Sequence, residues 1–507
     1  MTGPGPVRRF EPGSGHPGIG TALGRVGLVL AIAFGAIAAG AGYWQVFESS
    51  ALSRAPDDAG VIAASRDIVR GIITDRDGNR LAWNARDKHG EPYRVYASPA
   101  LSGVIGYAAT QWGTAGLERA WNAELTGAHS ADPLYDLTRK FRVAGNDPED
   151  LQSTLVLSLQ KRAVQLLGDD RGAVVMLDPR TGEVLVMAST PDFDASAVAN
   201  PATSAKAFQS LQVDPSLPLL PRATQGTYVP GSVFKLVTAM AGLTSGAITT
   251  ATTFPEQGKS EKTGLLIDGF RIRDGHHPAT GDKALAFDEA VEVSCNEYFA
   301  LVGLRTGGQQ LLDTAASLGF GGPLPFDLPS GVSQVTGGGG AFQGGFKDDV
   351  ELANAAYGQG ETLVTPLQMA LVAATVADGG VLMTPHLVRS ATGAGGTTTI
   401  QPEVWRRVIP ASVADEIRDA MVLAVNGDLG RPFTAGAQVA GLTVAGKSGT
   451  AELDPGSDPH SWFVGFAPAG SAQVAIAVIV EHGGHGAQRA SPIAGAMLRA
   501  WKAWLSR

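Results

Sequence analysis

The chain has 507 residues, 44% of them apolar, with 39 Lys and Arg against 48 Asp and Glu for a formal charge of −9. That leaves room for two or three domains with a large core, and without any Lys/Arg cluster beyond pairs such as Arg8-Arg9 and Arg406-Arg407 it argues against a nucleic acid partner. A single cysteine, Cys295, excludes an intramolecular disulfide and a thiolate-rich zinc site; no metal or other cofactor is expected, because His276, His277, His482 and His485 all read as solvated loop residues.

Residues 1–20 are rich in Gly and Pro and read as disordered. From Val26 to Val46 the chain carries no charge, and at ~1.5 Å per residue such a run spans roughly 31 Å, enough to cross a bilayer. Arg8, Arg9 and Arg25 stand before it against Glu11, while Glu48, Asp57 and Asp58 follow with Arg54. The positive-inside rule then makes 1–25 a cytoplasmic tail, 26–46 a transmembrane anchor, and everything after about 47 extracytoplasmic at the cell membrane. A signal peptide cleaved near Ala38–Ala41 is the alternative, although the apolar run is long for one.

Residues 47–65 read as a tether, and 47–152 as tether plus a non-catalytic pedestal domain in which IVRGIITDRDGNRLA forms a hairpin turning at Asp77-Gly78 or Gly78-Asn79. The second domain, 153–507, begins with a helical pattern over Leu155–Leu167. GAVVMLDPRTGEVLVMAST then gives two strands joined by a Pro-Arg-Thr-Gly turn. Helices are expected over Glu289–Val302 and Gln368–Ala377, and flexible loops at GGGGAFQGG from Gly337 and ATGAGGTTT from Ala391. Near the C-terminus LTVAGKSGTAEL, HSWFVGFAP and AQVAIAVIVEHG are strand-like, and SPIAGAMLRAWKAWL is an amphipathic helix. The predicted class is α+β: an antiparallel sheet flanked by helices, two strands following residue 172 and three near the end.

Chemistry gathers at three places. In YVPGSVFKLVTAMAGL, Ser232 and Lys235 share one helix face a turn apart, so a desolvated, neutral lysine could take the serine proton. Ser158 and Lys161 have the same spacing, and a helix cap followed by a snorkelling lysine would look identical. The apolar flanks Phe234, Leu236, Val237 and Met240 single out Lys235. VEVSCNEYF offers Ser294, a hydroxyl able to relay a proton, and Asn296, an amide able to hold a peptide. Lys447, Ser448, Gly449 and Thr450 lie on a predicted edge strand that could supply an oxyanion N–H and pair with an extended peptide. Lys262-Thr263-Gly264 is the competing segment, set aside because it belongs to a charged loop.

Ser-x-x-Lys, Ser-x-Asn and Lys-Ser-Gly-Thr in this order resemble the penicilloyl serine transferase set. RGIITDRDGNRLA, GTAGLERAWNAELTG, GAVVMLDPRTGEVLVMASTPDFD, YVPGSVFK, GQGETLVTPLQMA and WFVGFAP resemble class B penicillin-binding proteins, the monofunctional transpeptidases of peptidoglycan synthesis. The resemblance implies a β-lactamase/transpeptidase-like fold and a Ser232 acyl-enzyme formed from D-Ala-D-Ala stem peptides. It implies Lys235 as base, Ser294 as proton relay, Asn296 as peptide holder and Lys447 as a source of positive potential. Ser448 and Thr450 would bind the terminal carboxylate, and the N–H groups of Ser232 and Thr450 would form the oxyanion hole. β-Lactams are expected as covalent inhibitors, and a polytopic membrane glycosyltransferase as a partner. Val229, Ser448, Pro221 and Val156 depart from the family's usual Pro, Thr, Asn and Asp; Val156 bears on the contact between domains. A serine β-lactamase, a D,D-carboxypeptidase and a catalytically idle scaffold for wall synthesis are the competing readings.

Overall fold

The computed structural model describes residues 69–128, 147–274, 277, 280, 283–337, 345–453 and 456–507. The expected tail, membrane span and tether, His276 and most of the Gly-rich loop after Gly337 lie outside these residues. Among the described residues no helix is long and apolar enough to cross a membrane.

Strands β1 (Ile73–Thr74) and β2 (Arg80–Arg86) form the expected hairpin, with Thr74 opposite Arg80 and Gly78 at φ 85° in the turn. β3 (Pro92–Tyr96) follows, and β4 (Asp150–Ser153) runs parallel to β1. Helix α1 (Leu157–Leu167) has no side-chain cap of its own, since Val156 occupies the N-cap. Asp75, buried in the β1–β2 turn, supplies the missing acceptor: its Oδ2 takes the Leu157 N–H at 3.1 Å.

β5 (Gly172–Leu177) and β6 (Val184–Thr190) are buried throughout. Then come the helices α2 (Lys235–Thr244), α3 (Phe287–Glu292), α4 (Asn296–Thr306) and α5 (Pro366–Ala377), the last buried from Pro366 to Val376. The single helix predicted over Glu289–Val302 is in fact two, because Ser294 sits at φ 65°, a conformation that no α-helix accommodates. The predicted loop from Ala391 is also corrected: it is a hairpin of β7 (Val388–Gly393) and β8 (Gly396–Thr399), whose β-branched threonines pair across a glycine turn. β7 pairs with β4, so the first sheet has the order β8-β7-β4-β1-β2-β3 and draws strands from two distant parts of the chain.

After α6 (Ala411–Asn426), β9 (Ala445–Ala451), β10 (His460–Ala467) and β11 (Val474–Val480) complete a second sheet, and α7 (Ala490–Leu505) closes the chain. Its order is β9-β10-β11-β5-β6, antiparallel throughout, the arrangement of two early and three late strands that the sequence predicts. Side-chain alternation builds two cores from one strand. Ala475, Ala477 and Ile479 of β11 face the core that includes α2 and α5, whereas Val474, Ile476, Val478 and Val480 face α1 and α7. β9 is the sheet's free edge, and the turn before α2 packs beside it.

Candidate active site

The approach to Ser232 is fixed from both sides. Tyr228 exchanges backbone hydrogen bonds with Val364 at 2.9 and 2.8 Å, and the Val229 carbonyl accepts from Trp462 Nε1 at 3.0 Å. Gly231 follows at φ 55°, where a Cβ would lie 2.6 Å from the Thr450 carbonyl oxygen. Only glycine lets the turn lie this close to β9. A 3-10 turn over Gly231–Phe234 then runs straight into α2. Ser232 is half-buried, and Lys235, 1% exposed, points inward.

Lys235 Nζ donates to the Ser294 carbonyl, to Asn296 Oδ1 at 2.7 Å, and lies 3.3 Å from Ser294 Oγ. Lys447, also 1% exposed, donates to the same Ser294 Oγ at 2.7 Å. The left-handed Ser294 makes this convergence possible, turning its carbonyl toward Lys235 and its hydroxyl toward both amines. Burial lowers the Lys235 pKa to about 8, with Asp274 and Cys295 partly opposing it. Burial, reinforced by the charge of Lys235, holds Lys447 well below the usual lysine range. Two acceptor-only oxygens match the two N–H bonds of a neutral Lys235, which leaves its lone pair free to receive a proton.

Gly449 lets β9 and the Gly231–Phe234 turn meet: a Cβ there would stand 2.9 Å from the Pro230 carbonyl and 3.0 Å from Val233 Cγ1. Ser448 is buried, Thr450 half-buried, and the Thr450 hydroxyl accepts from Gly486 N at 3.3 Å. The competing pairs lie elsewhere: Ser158 and Lys161 are exposed on α1, and Lys262 and Thr263 are exposed beyond a short helix at Pro255–Ser260.

A penicillin-binding protein transpeptidase domain matches residues 172–499. The chain belongs to that family. Among penicillin-binding proteins it is 34% identical over 505 residues to the peptidoglycan D,D-transpeptidase PbpA of Mycolicibacterium smegmatis, a match covering 95% of this chain and 98% of that one. The crystal structure of PBPA from Mycobacterium tuberculosis superposes with a TM-score of 0.72 at 29% identity, covering 85% of this chain and 98% of that chain. The penicillin G acyl-enzyme complex of penicillin-binding protein A from that organism gives 0.71 at 30%, covering 87% and 100%. The penicillin-binding-protein fold expected from the motifs is thereby shown.

Two features of this family member escape the sequence. Glu481, at the end of β11, accepts from Arg222 Nε at 2.7 Å, Tyr228 OH at 2.9 Å and Arg171 Nε at 3.1 Å, bracing the approach to Ser232. An arginine within the apolar stretch LPLLPRA is the only hint of this. Behind Ser294, His277 is buried rather than solvated as expected, its Nδ1 2.9 Å from Glu261 Oε1. Asp274, His277 and Cys295 offer ligand atoms all within 4.8 Å of one another, the sole such group found among the described residues. A thiol, an imidazole oriented by a carboxylate, and a second carboxylate form a donor set suited to zinc. These residues are spread over a stretch of chain without regular spacing, so no ligand motif marks them in the sequence.

Proposed function

We propose that this chain is a membrane-anchored peptidoglycan D,D-transpeptidase that joins stem peptides through an acyl-enzyme on Ser232, and that β-lactams acylate the same serine. The observation carrying this reading is the meeting of two buried amines, Lys235 and Lys447, at Ser294, with Lys235 at the start of the helix that continues the Ser232 turn. Ser232 passes its proton to neutral Lys235 as Oγ bonds to the carbonyl carbon of the penultimate D-Ala. The N–H groups of Ser232 and Thr450 receive the oxyanion. The C–N bond then breaks, and the departing D-Ala amine takes a proton relayed through Ser294. An amine of a neighbouring stem attacks the ester carbonyl and gives a proton to Lys235, a new C–N bond forms as the ester C–Oγ bond breaks, and Ser232 takes that proton from Lys235. Asn296 and the open edge of β9 hold the peptide as an added strand, and Ser448 and Thr450 take the terminal carboxylate.

In the same reading residues 26–46 anchor the chain and the catalytic domain, 153–507, works outside the membrane on a pedestal within 47–152. A polytopic glycosyltransferase that supplies glycan strands is the matching partner. Labelling with a fluorescent penicillin tests the proposal: wild type should be labelled and Ser232→Ala should not. A label that persists in Ser232→Ala, or none in wild type, would refute it.

A further inference from the structure

We propose that His485 is a specificity residue that reads the carboxylate of the acyl donor, an inference that rests on the acyl-transfer reading above. The turn between β11 and α7 lies across the part of β9 that carries Ser448 and Thr450. At Gly486 a Cβ would stand 2.8 Å from Ser448 Cβ and 2.9 Å from the Gly449 carbonyl, so the turn's backbone touches the strand directly. Gly486 N already donates to the Thr450 hydroxyl oxygen, and His485 Nδ1 lies 3.4 Å from that same oxygen.

Thr450 has one hydroxyl proton to give. When the imidazole is neutral and carries its proton on Nε2, Nδ1 accepts that hydroxyl proton and turns it away from an incoming anion. When the imidazole is doubly protonated, Nδ1 becomes the donor, the Thr450 proton is released, and a positive charge stands at the mouth of the site. A carboxylate arriving at Thr450 then meets both the freed hydroxyl proton and the positive charge, whereas an uncharged acceptor meets the hydroxyl proton alone. Neighbouring charges are engaged elsewhere, Arg489 with Asp170 and Glu481 with Arg222 and Arg171. The turn itself is pinned through backbone atoms, with His485 N donating to Gln488 Oε1 at 2.7 Å and its carbonyl accepting from Ser461 Oγ at 3.0 Å, so a side-chain change leaves it in place.

The test compares second-order acylation constants of the full chain for penicillin G and for its methyl ester. His485→Ala should slow penicillin G by about five-fold and the ester by less than about two-fold, the size expected of one partly exposed charge-assisted hydrogen bond. His485→Lys should restore penicillin G to at least the wild-type constant. Equal losses on both compounds, or no loss on either, would overturn the inference. A wild type that is not acylated at all would overturn the acyl-transfer reading first, and this inference with it.

Discussion

Lys235 and Lys447 address one hydroxyl: Lys447 Nζ donates to Ser294 Oγ at 2.7 Å while Lys235 Nζ lies 3.3 Å from it. Ser294 pays for that position with a left-handed backbone at φ 65°, which costs a non-glycine residue roughly 1 kcal/mol. Ser294→Gly and Ser294→Ala both remove the hydroxyl proposed as relay, and each should lower acylation by about 10²-fold or more. Their stabilities should separate, because glycine adopts this conformation freely and alanine does not. Thermal melts should place the glycine variant above the alanine variant; the reverse order would show that the backbone angle carries no strain.

In the proposed mechanism the base is Lys235, and the pH dependence follows from it. Lys235 is held at about 8 chiefly by burial, so the acylation constant should rise with pH and level off above that value. A constant that has already levelled off near neutral pH, in roughly the range of a neutral imidazole, would point to a different base. Lys235→Ala should abolish acylation and leave the fold intact. The same shift has a stability consequence. The folded pKa lies below the ordinary lysine value of 10.5, so the unfolded chain binds more protons between about 8 and 10.5, and stability gained by deprotonation should increase with pH across that window in wild type relative to Lys235→Ala.

What could be read in advance depended on whether the signal was local. The strands of the second sheet announce themselves as continuous apolar runs, because β5, β10 and β11 are buried on both faces. Ser232 and Lys235 share a helical turn, and apolar neighbours mark the lysine as buried. The break at Ser294 carries no such mark: VEVSCNEYF has helical composition, and a serine rather than a glycine takes the left-handed position that ends α3, where Ser294 N donates to the Val291 carbonyl at 3.2 Å and Cys295 N to the Ala290 carbonyl at 2.9 Å. His277 reads as a loop residue because its partners Glu261 and Cys295 are distant in the chain. The hairpin from Ala391 was hidden by its glycines, which imply a loop until β4 supplies a strand to pair with.

Asp274, His277 and Cys295 give a test by metal addition and removal. If the three ligate, dialysis against a chelator followed by one equivalent of Zn²⁺ should raise the thermal midpoint, and Cys295→Ser should cancel the rise. Elemental analysis of the purified chain provides a second readout. An unchanged midpoint together with no bound metal would leave the group as a hydrogen-bonded cluster behind Ser294.

The contact between the β1–β2 turn and α1 can be tested at Asp75. Its Oδ1 accepts from Asp77 N at 2.9 Å and Asn79 N at 2.8 Å, while Oδ2 accepts from Leu157 N at 3.1 Å. One buried carboxylate therefore closes the hairpin turn and caps a helix whose own N-cap, Val156, has no acceptor to offer. Asp75→Ala strands these N–H groups and should cost about 2–3 kcal/mol, seen as a lower urea midpoint. Asp75→Asn keeps an acceptor oxygen but loses the charge facing the helix N-terminus, and should cost less, about 1 kcal/mol. Equal losses for the two variants would mean that charge, rather than the hydrogen bonds, holds α1 to the turn.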